Sequence, residues 1–249
     1  MGSAQPFGID FGGSGIKGAP VDLSTGEFAA ERTRIATPEG GRPDAVADVV
    51  ADLVRRGAAA RAPVGITVPG VVVRGVVKSA ANIDKSWIDT DAAALFRSRL
   101  DTDVVVVNDA DAAGLAEARY GAARDRSGLV VITTLGTGIG TALVYDGLLV
   151  PNSELGHIEI GGKDAETFAA NSVREKRDLS WKDWAKSLTK YYRTLERLLT
   201  PDLFVVGGGV SKHAEKYLPL IDISTPIVPA TLKNTAGIVG AAVLAAESA

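Results

Sequence analysis

Cysteine is absent from the 249 residues, and histidine appears only twice. Without cysteine there can be no disulfide and no thiolate metal site. The sequence also lacks a signal-peptide layout and any run apolar enough to cross a membrane, so a cytoplasmic protein with no membrane partner is expected. It has no basic excess either: 27 Lys and Arg stand against 30 Asp and Glu, a net charge of −3. A general nucleic-acid binder would normally be basic, so no nucleic-acid partner is expected, although a local basic groove is not excluded. With 46% hydrophobic and 23% charged residues the composition is that of an ordinary globular protein. The length is generous for one core and comfortable for two compact lobes.

Glycine is plentiful, at 28 residues, and two glycine-rich stretches repeat one pattern. Phe7-Gly8-Ile9-Asp10-Phe11 runs into Gly12-Gly13-Ser14-Gly15 and on to Ile16-Lys17-Gly18. Half the chain later, Val131-Ile132-Thr133-Thr134-Leu135 runs into Gly136-Thr137-Gly138 and on to Ile139-Gly140-Thr141. Each is an apolar run, a glycine turn and a second apolar run. Glycine lets a backbone turn sharply and approach a ligand closely. The exposed amides of such a turn form a concavity suited to phosphate. A single glycine hairpin is commonly just a hairpin; the repetition, the Asp in the first copy and the hydroxyls in both point to two loops gripping one phosphorylated ligand. Neither is a dinucleotide fingerprint or a P-loop, because the glycines join strand to strand and no Gly-Lys-Ser/Thr opens a helix.

Read in order, 7–11 and 15–22 are strands, and Ser24-Thr25-Gly26 turns into a third over 27–35. Pro43 to Arg56 places Val46, Val49, Val50, Leu53 and Val54 at helical spacing behind an opening proline. Val64–Val68 reads as a buried strand, Val71–Ser79 as another, and a helix follows near 90–100. The β-branched run Val104–Val107 predicts a strand buried on both faces. The second half repeats the order, with strands at 129–135 and 139–145, an Asp146-Gly147 hairpin, helices, a late strand at Leu203–Val206 and an alanine-rich closing helix over Asn234–Ser248. Two α/β lobes with a ligand cleft between them are expected: a small lobe, 1–110, on which residues 235–249 pack back, and a large lobe, 111–234. Over 173–199, Trp181, Trp184, Leu188, Tyr191, Leu195 and Leu198 recur at three- and four-residue steps, predicting a helix with one apolar stripe. Val173 to Arg197 holds eight Lys or Arg against four Asp or Glu, either a solvated face or a rim for a polyanion.

Three clusters can carry chemistry. Asn108-Asp109 follows the Val104–Val107 strand, and a carboxylate at that end of a buried strand points where α/β sheets bind ligands. The same pair is also ordinary helix-capping chemistry. Glu154-Leu155-Gly156-His157 sets a histidine beside a carboxylate; no second histidine or cysteine stands at ligand spacing, so hydrogen bonding to a polar substrate suits it better than zinc. Val205-Val206-Gly207-Gly208-Gly209-Val210-Ser211 reads as strand, glycine turn and helix start, a geometry that favours an anion or a nucleotide.

In this order, Asp10 to Lys17, Asn108-Asp109, Leu135 to Gly140, Glu154 to His157 and Gly207 to Ser211 resemble the signatures of the ROK sugar kinases, members of the actin-like, RNase H-like ATPase superfamily. Gly12 to Asp22, Ser79 to Trp87, Asn108 to Glu117 and Asn234 to Ala242 are further similar to the actinobacterial branch of that family that draws on polyphosphate. The resemblance spans the whole chain and implies transfer of a terminal phosphoryl group from polyphosphate, with ATP as a second donor, to the 6-hydroxyl of glucose. It implies Asp109 as general base and Asn82, Asn108, Glu154, His157 and Glu166 as sugar ligands alongside it. Asp10 would hold Mg²⁺ through water, and Gly12, Gly13, Ser14, Gly15, Lys17, Gly136, Thr137, Gly138, Gly208 and Gly209 would bind the donor phosphates. A homodimer is expected. Most ROK proteins carry a cysteine-rich zinc segment after the histidine; Ile158–Asp164 stands there instead, so no structural zinc is expected, and Glu159 is an alternative to Glu166.

Two other functions bear on the same residues. A sugar-responsive repressor needs a DNA-binding helix-turn-helix ahead of the Asp10 motif, which begins almost at once. Mannose or another hexose as acceptor stays open, because mannose differs from glucose only at the 2-hydroxyl and one unmade hydrogen bond costs on the order of 1 kcal/mol. A polyanionic donor gains from Lys17, Lys212, Arg174, Lys176 and Arg177, whereas ATP needs a pocket for its base.

Overall fold

The computed structural model describes residues 5–57, 62–80 and 83–248. The chain divides into two compact units, one formed by Met1–Ala116 with Thr235–Ala249 and the other by Glu117–Asn234.

The first unit opens with a hairpin, β1 (Phe7–Gly12) and β2 (Gly15–Asp22), closed so tightly that Gly12 pairs with Gly15. The stretch read as one strand over 27–35 is two short ones, β3 (Glu27–Phe28) and β4 (Thr33–Ile35), each pairing with a different part of β2. Helix α1 (Pro43–Arg56) starts at its proline and buries Val46, Val50, Leu53 and Val54. Then comes β5 (Val64–Val68), buried along its length. Residues 71–79 do not form one strand. They make a small hairpin, β6 (Val72–Val73) and β7 (Val76–Val77), because Arg74 and Gly75 both take positive φ and reverse the chain. Helix α2 (Ala92–Leu100) follows, N-capped by the Asp91 side chain, and then β8 (Val104–Asn108) and α3 (Asp109–Tyr120). The sheet order is β3-β2-β1-β5-β8, with β5 and β8 parallel to β1; β8 ends this order, yet all its residues but the half-buried Val105 are buried, as its β-branched run predicts. Phe7, Ile9 and Phe11 point to one face with Ile66, Val68 and Phe96, where Trp87 lies against Phe11 and Phe96 and donates its indole N–H to the Gly41 carbonyl at 2.8 Å.

The second unit repeats the plan. β9 (Leu129–Leu135) and β10 (Ile139–Tyr145) form an antiparallel hairpin around the second glycine loop. The Asp146-Gly147 turn, both residues at positive φ, leads to β11 (Leu148–Val150). The expected single helix over 173–199 is interrupted: α4 (Glu166–Ala169) and α5 (Asn171–Lys176) come first, Asp178 adopts a left-handed conformation, and α6 (Trp181–Leu199) begins afresh. Ser180 starts α6 by accepting the Asp183 N–H at 3.1 Å and donating to the Asp183 carboxylate at 2.7 Å. Of the expected apolar stripe, Trp184, Leu188, Tyr191 and Leu195 are fully buried against Phe204 and Val206, with Tyr192 beside them, whereas Trp181 is half-buried and Leu198, in the last turn, is exposed. β12 (Leu203–Gly207) and β13 (Ile227–Pro229) complete a sheet ordered β11-β10-β9-β12-β13, in which β12 is parallel to β9. Both units thus consist of a glycine hairpin followed by parallel strands.

The chain ends with α7 (Ala236–Glu247), which belongs to the first unit and lies on the other face of its sheet from Phe7 and Ile9. The approach is backbone to backbone. A Cβ on Gly8 would fall on the Ile238 carbonyl and one on Gly65 on the Ala241 carbonyl, while on α7 itself a Cβ on Gly240 would fall on the Ala112 carbonyl. Three glycines therefore set the depth at which this helix docks, and Gly8 and Gly65 are paired neighbours in the parallel β1–β5 ladder.

Candidate active site

In the first unit, strand register lines up a polar row. Asp10 pairs with Thr67 on one side and Lys17 on the other, and Lys17 pairs with Arg34. Side chains alternate across a sheet, so these four share a face, the one that carries α7. The Asp10 carboxylate accepts from the Lys17 ammonium at 3.2 Å and from the buried Thr67 hydroxyl at 3.4 Å. Gly237, in the first turn of α7, is so near that an added Cβ would touch the Asp10 carboxylate at 3.4 Å. A helix N-terminus carries partial positive charge, which suits both a carboxylate and a phosphate there.

The adjoining loop, Gly12 to Gly15, has two carbonyls engaged by side chains. Thr37 donates to the Gly12 carbonyl at 2.6 Å, and Arg34 donates to the Ser14 carbonyl at 2.8 Å. Engaging these oxygens removes two negative dipole ends from the edge of a loop proposed to meet an anion, and Arg34 adds a cation beside Lys17. Sequence reasoning missed Thr67, Arg34 and Thr37. Thr67 was legible as the one hydroxyl in the apolar run Val64–Val68; the other two act through tertiary contacts.

At the end of β8, Asn108 is buried and Asp109 exposed. Asn108 caps α3: its Oδ1 accepts the N–H groups of Ala110 and Asp111 at 2.8 and 3.1 Å, and its Nδ2 donates to the Gly70 carbonyl at 3.1 Å. Capping and function are thus compatible, because the cap falls mainly to Asn108 and Asp109 stands next to it at the solvent side. One Asp109 oxygen also lies 2.9 Å from the Ala110 N–H. Asn82 lies outside the described residues.

In the second unit, the Leu135–Ile139 turn, the Gly207–Gly209 turn and the histidine cluster converge. Gly208 adopts φ 83°, and a Cβ there would fall on the Leu135 backbone, which seats the two glycine turns side by side. The helix expected after Gly209 is not α-helical; Gly209–Lys216 winds as 3₁₀ turns with a break at His213. Gly138 is covered by Glu166, whose carboxylate accepts the Ile139 N–H at 3.2 Å. The Thr141 hydroxyl donates to the Ser153 carbonyl at 2.5 Å and accepts the Leu155 N–H at 3.1 Å, stitching the Glu154–His157 segment to β10.

Ile158–Asp164, in place of a cysteine-rich segment, closes on itself through the backbone. Ile160 donates to the Lys163 carbonyl at 2.8 Å, Ala165 to that of Ile158 at 3.0 Å, and Gly161 and Gly162 turn the chain at positive φ. This turn sets the ligand atoms of His157, Asp164 and Glu166 within 4.8 Å of one another, whereas Glu159, bridged to Asp164 through the backbone, is exposed. His157 Nδ1 is 2.8 Å from Asp164, and Nε2 is 3.9 Å from Glu154. The Asp164 hydrogen bond, with the charges of Glu166 and Glu154, raises the proton affinity of His157 above the ordinary imidazole range despite partial burial. Burial raises that of Glu154, opposed by His157 and helped by Glu166. Two carboxylates and a proton-holding imidazole form a set of acceptors and one donor, matching the hydroxyls of a sugar.

The basic segment divides. Arg174 is stacked on Trp181, with its guanidinium carbon 4.1 Å from the ring centroid, and bonded to Asn171 at 3.0 Å. It packs on the ring and stands neither on a solvated face nor free toward a polyanion. Lys176 and Arg177 are exposed.

The fold is that of the actin-like ATPases, seen in the structure of a ROK glucokinase from Streptomyces griseus (TM-score 0.80, 24% identity, covering 97% of this chain and 99% of that one). Residues 6–172 match the ROK family model, and the chain belongs to the ROK family. It is 53% identical over 237 residues to the polyphosphate glucokinase of Mycobacterium tuberculosis, an alignment covering 95% of this chain and 89% of that protein. It is also similar to the inorganic polyphosphate/ATP-glucomannokinase of Arthrobacter sp. strain KM, at 52% identity and TM-score 0.94, covering 99% of this chain and 100% of that one.

Proposed function

We infer that this chain transfers the terminal phosphoryl group of polyphosphate, with ATP as a second donor, to the 6-hydroxyl of glucose. The observation that carries the reading is the identity of more than half the residues, along nearly the whole chain, with a polyphosphate glucokinase. The likeness to a glucomannokinase that uses both donors supports ATP as the second donor and mannose as a second acceptor.

A primary hydroxyl is a weak nucleophile, and phosphoryl transfer is driven mainly by positioning and electrostatic stabilisation. Asp109 accepts the proton of the 6-hydroxyl as the new O–P bond forms and the bond from that phosphorus to the donor's bridging oxygen breaks, releasing the polyphosphate shortened by one phosphate, or ADP. Glu154 and Glu166 accept from sugar hydroxyls and His157 donates to one, with Asn82 and the remaining Nδ2 hydrogen of Asn108 completing the set. The amides of Gly12 to Gly15, Gly136 to Gly138 and Gly208-Gly209, with Lys17, hold the phosphate chain. Asp10 would hold magnesium through water: its carboxylate and the Thr67 hydroxyl are hard oxygens suited to that ion, and the Lys17 ammonium engages the other carboxylate oxygen. An ion held there would supply positive charge to offset that on the donor's phosphate oxygens. Assembly as a homodimer and residence in the cytoplasm belong to the same reading, supported by the family resemblance; no helix among the described residues is long and apolar enough to cross a membrane.

His157→Ala is expected to raise the Michaelis constant for glucose about tenfold, the loss of one hydrogen bond worth ~1–2 kcal/mol, with a smaller change in kcat. Steady-state kinetics check this, and an unchanged constant removes His157 from the sugar site. On the donor side, contacts between a long polyanion and exposed cations are screened by salt. Polyphosphate turnover at low donor concentration should therefore fall more steeply with added salt than ATP turnover. Reversing charge at Lys176 and Arg177 together should raise the Michaelis constant for long polyphosphate more than that for ATP. Equal effects on both donors would make this segment a solvated face throughout.

A further inference from the structure

We propose that Asp164 is a positioning residue for sugar binding: it fixes the ring and tautomer of His157 with one oxygen and the first turn of α4, from which Glu166 projects, with the other. The inference rests on the reading of His157 and Glu166 as sugar ligands. Its geometric basis is the double engagement of one carboxylate. Oδ2 lies 2.8 Å from His157 Nδ1, and Oδ1 accepts the Glu166 N–H at 3.1 Å. The Asp164 carbonyl in turn accepts the Thr167 hydroxyl at 2.6 Å, tying the next residue of α4 to the same point.

The consequence follows from imidazole chemistry. An acceptor at Nδ1 requires a proton on Nδ1, so the uncharged ring would present Nε2 only as an acceptor and the charged ring presents Nε2 as a donor. Every charged group facing the ring from its own segment and from α4 is an acid: Asp164, Glu154 and Glu166. Glu159 and Lys163 lie on the same turn, and Lys190 of α6 reaches the Ile160 carbonyl at 3.5 Å. The acids favour the imidazolium, and its Nε2–H is the donor that a sugar hydroxyl needs. Below the raised pKa the ring carries that donor. As pH rises through the pKa the donor is lost, and the Michaelis constant for glucose should rise.

Asp164→Asn tests this, because asparagine keeps the shape but offers one acceptor oxygen where aspartate offers two and removes the charge. With only two histidines in the chain, a proton NMR titration resolves both rings, and His213→Gln identifies the second. The expected result is that His157 titrates above the ordinary imidazole range in the wild type and shifts down in Asp164→Asn. The rise of the Michaelis constant with pH should move to lower pH in parallel, with kcat within a few-fold. An unshifted His157 titration overturns the proposal at the level of Asp164. A shifted titration with an unmoved Michaelis constant overturns its link to sugar binding. His157→Ala and the double variant separate this from the parent reading. If Asp164 acts through His157, removing it in the His157→Ala background adds little; if His157→Ala alone leaves glucose binding intact, the sugar-site reading itself fails. Should the asparagine variant not fold, Asp164→Ser gives the same titration.

Discussion

Asp109→Asn should lose about 10²–10⁴-fold in kcat, the usual contribution of a positioned general base, while the Michaelis constant for glucose stays within a few-fold. That corresponds to ~3–5 kcal/mol of lost transition-state stabilisation. The cap of the following helix tolerates this substitution. The Asp109 oxygen beside the Ala110 N–H can be replaced by the asparagine carbonyl, and Asn108 keeps the rest of the cap. Thermal stability should therefore remain near that of the wild type while turnover collapses. The check is kcat, Michaelis constant and melting temperature on one preparation. A variant that retained more than half of wild-type turnover would show that Asp109 is only part of the cap.

The largest expected effect on stability lies far from any proposed chemistry. Gly65 is the second residue of β5, where valine would be preferred on strand propensity alone. Yet a Cβ at Gly65 would fall on the Ala241 carbonyl, a backbone atom that cannot rotate away. Either α7 lifts from the sheet, uncovering Ile238, Val239 and Ala242, all fully buried, or β5 bends in a sheet whose core is packed on both sides. Overpacking of this kind costs about 1–3 kcal/mol, and a rigid backbone obstacle places it at the upper end. Gly65→Val should lower the melting temperature by about 6–12 °C, taking ~2–4 °C per kcal/mol for a chain of this size. A melting temperature within about 2 °C of the wild type would mean that the close approach of α7 does not determine stability.

What the sequence revealed and what it concealed divide along physical lines. The β9–β10 hairpin, α1 and the apolar stripe of α6 were readable because each rests on local spacing: alternation, a 3.6-residue period, a turn dipeptide. The interruption before α6 was hidden because Asp178 takes a left-handed conformation with no glycine to announce it. The small β6–β7 hairpin was missed for a related reason, since Arg74-Gly75 is a weaker turn signal than Asp146-Gly147. The proposed site shows the same division. Asp10, Asp109 and His157 stand in stretches whose glycines and carboxylates mark them. Asp164 and Arg34 do not, because their importance comes from what folding brings them against, 7 residues away at His157 and 20 residues away at Ser14. Arg174 is the converse, a charge that looked available in the sequence and is occupied by Trp181.

The most direct test of the whole account uses the purified protein, glucose, magnesium and long-chain inorganic polyphosphate, with nucleotide removed by prior enzymatic digestion, and follows glucose 6-phosphate by phosphorus NMR. The account predicts steady formation of glucose 6-phosphate with matching loss of terminal polyphosphate phosphate, and a slower or comparable reaction when ATP replaces the polymer. Product formed only with ATP would contradict the donor assignment, and no product with either donor would contradict the assignment of this chain as a sugar kinase.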